Sequence, residues 1–564
     1  MRAVGDEGCR WGAWRRPDDR VSVAFAKESG KGGRAMTTNM NRRSFLKGGA
    51  LLGGALAAAG LAGCAPQEKG SEAASGAALG ATGDATPRFM IAPEPITEFA
   101  NTYDHGIVVV GGGVAGVSAV MAAAEDGADV ALVQKQATPE SSGNMAASVT
   151  PEVPEAAKSA LVSFLIERSN HRSKRELVQA WADNSYDAIT WFAEKTSAAG
   201  IEVNEGEPEA ERDITVNGYK VHLHANTYFG IGHDEVVKAL ADTMETLGAQ
   251  CFYNSPAVQL VQDESGRITG VVAQNAEGGY DLHNASVGVV LACGAYETDE
   301  EMVAYYSPDS VVLGTGMPGR DGDGHKMALW VGGQMEPAPH AMMVHDWRVC
   351  RADAPFLMVN CAGERFMAEG PKQGYINKYL RPFIKQYGDV AHTAYTLVDA
   401  KWQDQWTAWH EEDPTIDAHN VKWYFEGNTW AECVEAMHAD PDAEGWDVDP
   451  AALEKTVARY NELAAKGADD DFGKNPKYLQ ALDTPPFAII PRNFDGSLPM
   501  GGIIVNADNM VLDANDEPIE GLYAVGNNAG PFYGGTDYPM DVLGLSIGRA
   551  ITNGYCAGKF LAEK

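Results

Sequence analysis

The chain has 564 residues, of which 45% are apolar and 9% aromatic, and its formal net charge is −34 at pH 7. A chain of this length is too long for a single hydrophobic core, so we expect two or more domains. The acidity argues against a nucleic-acid partner, because phosphate binding needs clustered Lys and Arg.

The N-terminal segment, residues 1–63, predicts an export signal. Arg42 and Arg43 precede an apolar run that ends in Leu-Ala-Gly-Cys64. This order is typical of a twin-arginine signal followed by a lipoprotein cleavage box. The alternative is a simple apolar tail. We therefore expect an exported, extracytoplasmic protein that is anchored to the membrane through a lipid on Cys64.

The limits of the export signal follow from composition. The residues before Met40 show no pattern, so the true start is expected at Met36 or Met40. After the signal, residues 64–100 are predicted to be a flexible linker, because their first part is rich in Ala, Gly and Ser. The eight cysteines of the chain form no CxxC or CxxCH pattern, so we predict no metal site and no covalent haem.

The first chemically informative motif follows the linker. Residues 105–110 form a β-branched run, and Gly111, Gly113 and Gly116 then give GxGxxG before an Ala-rich helix. The first Gly allows a tight turn, the second lets a pyrophosphate approach the backbone, and the third lets helix pack on strand. A second predicted strand ends in Gln134 instead of an acid. Its amide oxygen can still accept a hydrogen bond from a ribose hydroxyl.

The remaining patterns alternate between helix and strand. Residues 155–200 have apolar side chains at helical spacing, and residues 250–293 predict a β-meander. From about residue 334 to 490 the chain changes to short helices, Trp-rich stretches and Pro turns. The last part returns to apolar strands and an apolar C-terminal helix.

These motifs, in order, carry a family resemblance. The segments GGGVAG, ALVQK, SSGN, VVLACGAYETDEEM, DGDGHKMA and GLYAVGNNAG resemble the flavoprotein family of soluble fumarate reductases, urocanate reductases and 3-oxosteroid dehydrogenases. The resemblance implies an α/β fold with FAD as cofactor. An FAD-binding domain with a parallel sheet (residues 101–333 and 491–564) would be interrupted by an α+β capping domain (residues 334–490).

The resemblance also implies which residues contact FAD. The matching positions are Gly111, Gly113, Ala115, Gly116, Gln134, Lys135, Gly143, Asn144, Ser148, Val258, Gly294, Asp323, Asn527, Leu545, Ser546 and Ile547. Asp323 falls in a loop that resembles the family's TGDG sequence, with Asp321 in place of the Thr.

The carboxylate-binding positions of a fumarate reductase are changed in this chain. Where the resemblance implies a catalytic Arg, the sequence has Gln373. Where it implies a His before Met-Gly-Gly, the sequence has Leu498, and Asp541 stands near the place of a second Arg. A dicarboxylate would meet an apolar residue and another anion, which is unfavourable. Fumarate is therefore not the expected substrate.

Four residues are candidates for catalysis. The resemblance to the steroid dehydrogenases suggests Tyr538, in DYPMDVLG, as a hydrogen-bond donor to a substrate carbonyl, and Asp541 as its neighbour. His340 and Arg348, with His345 between them, are the competing donors from the cap side. The alternative for Tyr538 is simple packing under the cap.

We therefore predict an FAD-dependent reductase of a C=C bond conjugated to a carbonyl, acting on an enone, acrylate, lactone or steroid-like small molecule. Because no haem motif or second flavin domain is recognisable, a membrane or extracytoplasmic cytochrome is the expected electron donor. The first alternative is a 3-oxosteroid dehydrogenase that works in the opposite direction. The second is a non-catalytic lipoprotein that retains the flavin fold.

Overall fold

The computed structural model describes residues 86–564, apart from residues 144, 205–210, 230–231, 309–318, 341, 346–353, 371–382, 384–385, 388–392, 413–415, 417–422, 444, 494 and 536–540. The predicted export signal lies outside the described residues. Within them, no helix combines the length and the apolar character that crossing a membrane requires.

The described strands are, in chain order, β1 (Asn101–Val110), β2 (Val130–Val133), β3 (Met145–Val149), β4 (Val203–Asn204), β5 (Glu211–Val216), β6 (Tyr219–Phe229), β7 (Gln250–Phe252), β8 (Ala257–Gln262), β9 (Ile268–Gln274), β10 (Tyr280–Leu291), β11 (Met342–His345), β12 (Leu357–Val359), β13 (Thr393–Asp399), β14 (Phe425–Gly427), β15 (Phe487–Asn493), β16 (Asp495–Pro499), β17 (Ile503–Ile504), β18 (Met510–Leu512), β19 (Pro518–Ala524) and β20 (Ala529–Gly530).

The described α-helices are α1 (Val114–Glu125), α2 (Glu155–Arg168), α3 (Arg175–Ala198), α4 (Gly232–Ala239), α5 (Ala241–Thr246), α6 (Glu300–Tyr306), α7 (Asp323–Trp330), α8 (Trp402–Glu412), α9 (Trp430–Ala439), α10 (Pro450–Lys466) and α11 (Leu545–Ala562).

The main sheet is mixed and mainly parallel. Its strand order is β18-β19-β10-β1-β2-β7, with β9 pairing to β10 and β8 to β9. Strands β1, β2, β7, β10 and β19 run parallel, whereas β8, β9 and the start of β10 form the predicted antiparallel meander. The interiors of β1 and β2 are buried on both faces, as expected for parallel strands between helices. The predicted α/β class is confirmed.

Helix α1 packs against the C-terminal helix α11. Residues 114–124 are all buried, so α1 has no polar face. Close approach depends on small residues of α11, because a Cβ on Gly554 would lie 2.0 Å from the Ala115 carbonyl oxygen and one on Gly558 would lie 2.4 Å from that of Ala119. The last helix is thereby fixed beside the first βα turn.

Antiparallel sheets form the capping domain. The larger one has the order β12-β13-β15-β14 and carries helices α9 and α10 on one side. Its aromatic residues pack internally; for example, the rings of Trp430 and Phe487 stack at 4.9 Å. Strand β15 pairs with β13 as far as Asn493, so the cap sheet continues past the predicted boundary at residue 490.

The end of the predicted linker is packed against the fold. Phe89 is buried, its ring lies 5.7 Å from those of Tyr305 and Tyr306, and its carbonyl accepts a hydrogen bond from Trp330 Nε1 at 2.9 Å. Phe89, inside the predicted linker, is therefore anchored to the fold, and the bounds of the linker stay a prediction. A short apolar stretch such as Phe-Met-Ile between prolines carries little sequence signal, and only the tertiary contact reveals its role.

Candidate active site

The register of the main sheet brings three loops to one edge. Val110 of β1 pairs with Leu291 of β10 on one side and with Val133 of β2 on the other. The strands therefore end together, and the Gly-rich turn, Gln134 and residue 292 follow at the carboxyl edge. Ligands of open α/β sheets bind at this edge.

Two glycines of the turn are required by backbone packing. Gly111 has φ +105°, and a Cβ there would lie 2.5 Å from the Ala292 carbonyl oxygen. A Cβ on Gly116 would lie 1.9 Å from the Gly111 carbonyl oxygen. Any side chain at either position would push strand, turn and helix apart.

Gly113 is different. The nearest protein atom to a Cβ at this position would be the Glu140 carbonyl oxygen, at 3.6 Å, an ordinary contact. The protein itself leaves room for a side chain there. Gly113 is also the N-cap of α1 and has no side chain to cap it, although the Val114 N–H donates to Ser141 Oγ at 3.4 Å. The N–H groups and partial positive charge of this end suit a phosphate.

A groove of about 920 Å³, including its open mouth, extends from this turn along the sheet edge. The predicted cofactor residues that line it are Gly111, Gly113, Ala115, Gln134, Lys135, Gly294, Asp323, Asn527, Ser546 and Ile547. The groove is also lined by residues that the sequence did not suggest, including Glu140, Ser141, Ala257, Cys293 and Arg320.

The other described residues predicted to contact the cofactor lie behind or beside the groove. Gly116 lies under the turn, and Leu545 is fully buried in the core. A Cβ on Gly143 would touch Ile547 Cγ1 at 3.0 Å, so Gly143 supports the groove-lining Ile547. Ser148 is buried in β3, and the wall residue of β8 is Ala257, one position before the predicted Val258. Asn144 lies outside the described residues.

Gln134 and Lys135 shape one wall through hydrogen bonds. The Gly112 N–H donates to Gln134 Oε1 at 2.9 Å, so this amide holds the Gly-rich turn as well as facing the groove. Lys135 Nζ lies 2.5 Å from Asp321 and 3.0 Å from Asp323. Burial alone would lower the pKa of Lys135, but these two carboxylates raise it, so the lysine stays charged.

His340 does not have the environment of a proton donor to substrate. Its ring is buried, with Nδ1 2.6 Å from the Tyr296 hydroxyl and Nε2 3.0 Å from the Glu336 carbonyl oxygen. It also stacks on Tyr306 at 5.2 Å. Burial lowers the pKa of His340 to about 4, so the ring is neutral at pH 7. Both ring nitrogens are engaged within the protein, and the catalytic role of His340 stays a prediction.

Asp541 is paired with a residue that the sequence did not suggest. The Arg168 Nε donates to Asp541 Oδ2 at 3.1 Å, and the aspartate side chain is only 4% exposed. The two residues are 373 positions apart, and Arg168 ends an ordinary amphipathic helix, so no sequence motif indicates the contact. Arg168 therefore compensates the charge of Asp541, and the predicted catalytic role of Asp541 stays a prediction.

The remaining positions that the sequence suggested for the substrate side are only partly covered by the described residues. Tyr538, Arg348 and Gln373 lie outside the described residues. His345 ends strand β11, and Leu498 is buried on the paired strand β16, where it faces Met343 across the ladder. Thus the structure brings an apolar side chain to the position where the family resemblance implies a His.

Comparison with known proteins decides the identity of the fold and cofactor. The model of the FAD-binding domain family matches residues 106–538. The chain belongs to this family. A curated relative, the vinyl phenol reductase of Lactiplantibacillus plantarum, is 27% identical over 82% of this chain and 97% of its own. The digoxin reductase of Eggerthella lenta is 25% identical over 92% and 98%, respectively.

Among solved structures, the open conformation of a flavocytochrome c3 fumarate reductase is similar with a TM-score of 0.57. It is 24% identical, and the match covers 82% of this chain and 79% of that one. The likeness supports the same fold: an FAD-binding domain with additional antiparallel sheets as a cap. The protein is an FAD-dependent oxidoreductase that acts on CH–CH bonds, which removes the non-catalytic alternative.

The groove suits FAD on the chemistry of its own residues. Room in front of Gly113 and the N-terminal N–H groups of α1, one of which donates to Ser141 Oγ, fit a pyrophosphate. Gln134 and the Lys135–Asp323 pair offer acceptors and donors for ribose hydroxyls. Ser546 and Ile547 begin helix α11 at the other end, where they would face the flavin ring. These individual roles are our assignments.

Proposed function

We propose that this protein reduces a C=C bond conjugated to a carbonyl in a small molecule larger and more apolar than fumarate: an enone, acrylate, lactone or steroid-like compound. The observation that carries this proposal is the loss of carboxylate-binding cations at two positions, Leu498 and Asp541. Leu498 is 8% exposed, and Asp541 is held by Arg168. A dicarboxylate would have to compete with Asp541 for that arginine, whereas a neutral substrate would not.

Two of the relatives support a substrate larger than fumarate, whereas others are named as urocanate or fumarate reductases. The vinyl phenol reductase and digoxin reductase carry the names of aromatic or larger compounds, and neither name is that of a dicarboxylate. Bound FAD would supply hydride to the alkene carbon. The protein would hold the substrate against apolar side chains under the cap and exclude water from it.

A substrate screen under anaerobic conditions tests the function. Reduced methyl viologen supplies two electrons per alkene, and solvent supplies the protons. We expect viologen oxidation with at least one enone, acrylate, lactone or steroid, and little with fumarate. Activity on a vinyl phenol alone, whose alkene is conjugated to a ring and not to a carbonyl, would contradict the carbonyl requirement. Fumarate as the fastest substrate would overturn the proposal. Faster reaction of a saturated 3-oxosteroid with an artificial electron acceptor would favour the alternative, a dehydrogenase.

Tyr538 is our candidate for the group that donates a hydrogen bond to the substrate carbonyl. The support is its sequence position, seven residues before helix α11 begins at the FAD groove. A donor aimed at the oxygen stabilises the charge that develops there. We expect Tyr538→Phe to lower kcat by roughly 10²–10³ with unchanged FAD content. Tyr555→Phe, on α11 beside Trp191, is the matched control. Normal turnover by Tyr538→Phe would leave this residue with a packing role.

We further propose export by the twin-arginine route and a lipid anchor at Cys64, with a cytochrome outside the cytoplasm as electron donor. The support is the sequence RRSFLK followed by an apolar run and LAGC. Replacing Arg42 and Arg43 by Lys should leave FAD-loaded protein in the cytoplasm, as cell fractionation would reveal. If the double variant reached the cell surface at the normal level, the export proposal would be wrong.

A further inference from the structure

A buried arginine lies directly behind the wall of the FAD groove. Arg549 lies on α11 between Ser546 and Ala550, which both line the groove. Arg549 is only 3% exposed. Its Nη2 donates to the side-chain oxygen of Asn527 at 3.0 Å, and its Nη1 donates to the Ala529 carbonyl at 3.1 Å. Asn527 itself lines the groove, so a single side chain separates the guanidinium from the cofactor space.

The charge of Arg549 is weakly compensated by the protein. Among the described residues, no carboxylate forms an ion pair with it, and its Nε has no hydrogen-bond partner. The guanidinium packs instead on the rings of Phe532 and Tyr533, at 5.5 and 5.1 Å. Burial lowers the pKa of Arg549, although that of a guanidinium starts so high that the group stays charged.

The carboxylate that does interact with Arg549 is only partly charged at neutral pH. Glu336 is buried, and it accepts a hydrogen bond from the Gly502 N–H at 2.9 Å. Burial raises the pKa of Glu336 to about 7. Hence Glu336 offsets the charge of Arg549 only in part, and it also interacts with Arg172 and Lys174. Burying a charge without a strong partner is unfavourable, and such a charge can stabilise an opposite charge that develops nearby.

We propose that the positive charge of Arg549 raises the two-electron reduction potential of the bound FAD. Arg549 would act on the cofactor through its electric field, as a positioning residue and not as a catalytic one. Reduction adds two electrons and one or two protons to the cofactor, and the reduced form gains negative charge when it takes up one proton. A fixed cation in a water-poor setting stabilises that charge without reorganisation. The proposal rests on FAD binding and is independent of the substrate.

Spectroelectrochemical titration of the purified FAD-loaded protein, without substrate, tests this role. Arg549→Gln keeps hydrogen-bond donors but removes the charge, and we expect the reduction equilibrium to become at least tenfold less favourable, about 30 mV for a two-electron couple. Arg549→Lys keeps the charge and should stay near the wild-type potential. Arg459→Gln, in an exposed ion pair on α10, is the distant control.

A merely structural role for Arg549 predicts a different pattern. In that case the Gln and Lys variants would lose FAD or stability to similar extents, with no directed change in potential, and the proposal would be overturned. If Arg549→Gln does not retain FAD, Glu336→Gln gives an independent test. At pH 8.5 it removes a negative charge that interacts with Arg549, so the potential should rise; an unchanged or lower potential would contradict the proposal.

Discussion

Gly113→Val is expected to yield a folded protein that lacks FAD. A Cβ at this position meets no protein atom closer than 3.6 Å, so the branched side chain can extend into the groove without disturbing the backbone. It would occupy the space that the pyrophosphate needs. We expect FAD affinity to fall by at least about tenfold, and more if the phosphate loses its contacts with the start of α1. The flavin absorbance per protein and the circular dichroism spectrum measure the two effects separately.

The control for this substitution is another glycine with open space. Gly370→Val meets no neighbouring atom within 4 Å, and the residue lies in the capping domain. It should retain the full FAD complement. In contrast, Gly111→Val should disrupt folding, because its Cβ would lie 2.5 Å from the Ala292 carbonyl oxygen in a left-handed backbone. A Gly113→Val protein that purifies with full FAD would refute our placement of the pyrophosphate.

Arg365→Met is expected to destabilise the capping domain strongly. Arg365 donates to both oxygens of Glu369, at 3.0 and 2.9 Å, and to both oxygens of Asp469, at 3.0 and 2.7 Å. Both carboxylate side chains are 0% exposed. Lys474 Nζ lies 3.3 Å from Glu369 and is the second cation of this cluster. Removing Arg365 leaves two buried carboxylates against one lysine, which costs about 3–5 kcal/mol.

Thermal and urea unfolding of the FAD-loaded protein measure this loss. We expect a lower melting temperature and a cap that becomes sensitive to protease before the FAD-binding domain does. Arg459→Met also removes an arginine that bridges two carboxylates, Glu462 and Asp471, but at the exposed surface of α10. It should change stability little, because solvent screens such pairs. Equal melting temperatures for Arg365→Met and wild type would show that the cluster contributes nothing to cap stability.

The FAD-binding half of the fold was predictable because its determinants are local. Strand β1, the Gly-rich turn and helix α1 follow one another within 25 residues. Two glycines of the turn, Gly111 and Gly116, are required by the adjacent backbone, because a Cβ there would lie 2.5 or 1.9 Å from a carbonyl oxygen. The alternation of apolar runs and helical spacing likewise predicted the parallel strands and the meander of β8, β9 and β10. Such patterns need no knowledge of distant residues.

The assignments on the substrate side depended on residues that are far apart in sequence. His340 follows Pro339 in a loop, and its place in the sequence alone made it a candidate for a reactive histidine. Its burial between Tyr296, Tyr306 and Glu336 makes it a neutral, fully hydrogen-bonded core residue. The environment of Asp541 could not be predicted either, because the compensating Arg168 comes from a helix near the start of the domain.

By itself, then, the sequence determined the family and the cofactor, since these follow from motifs whose steric and hydrogen-bonding requirements are short-range. The tertiary structure decided which charged groups are compensated and which are not: Asp541 by Arg168, Lys135 by two aspartates, and Arg549 by no ion pair among the described residues. The charge state and reactivity of a side chain depend on burial and on its neighbours in space. Those neighbours are set by packing of the whole chain and not by any local motif.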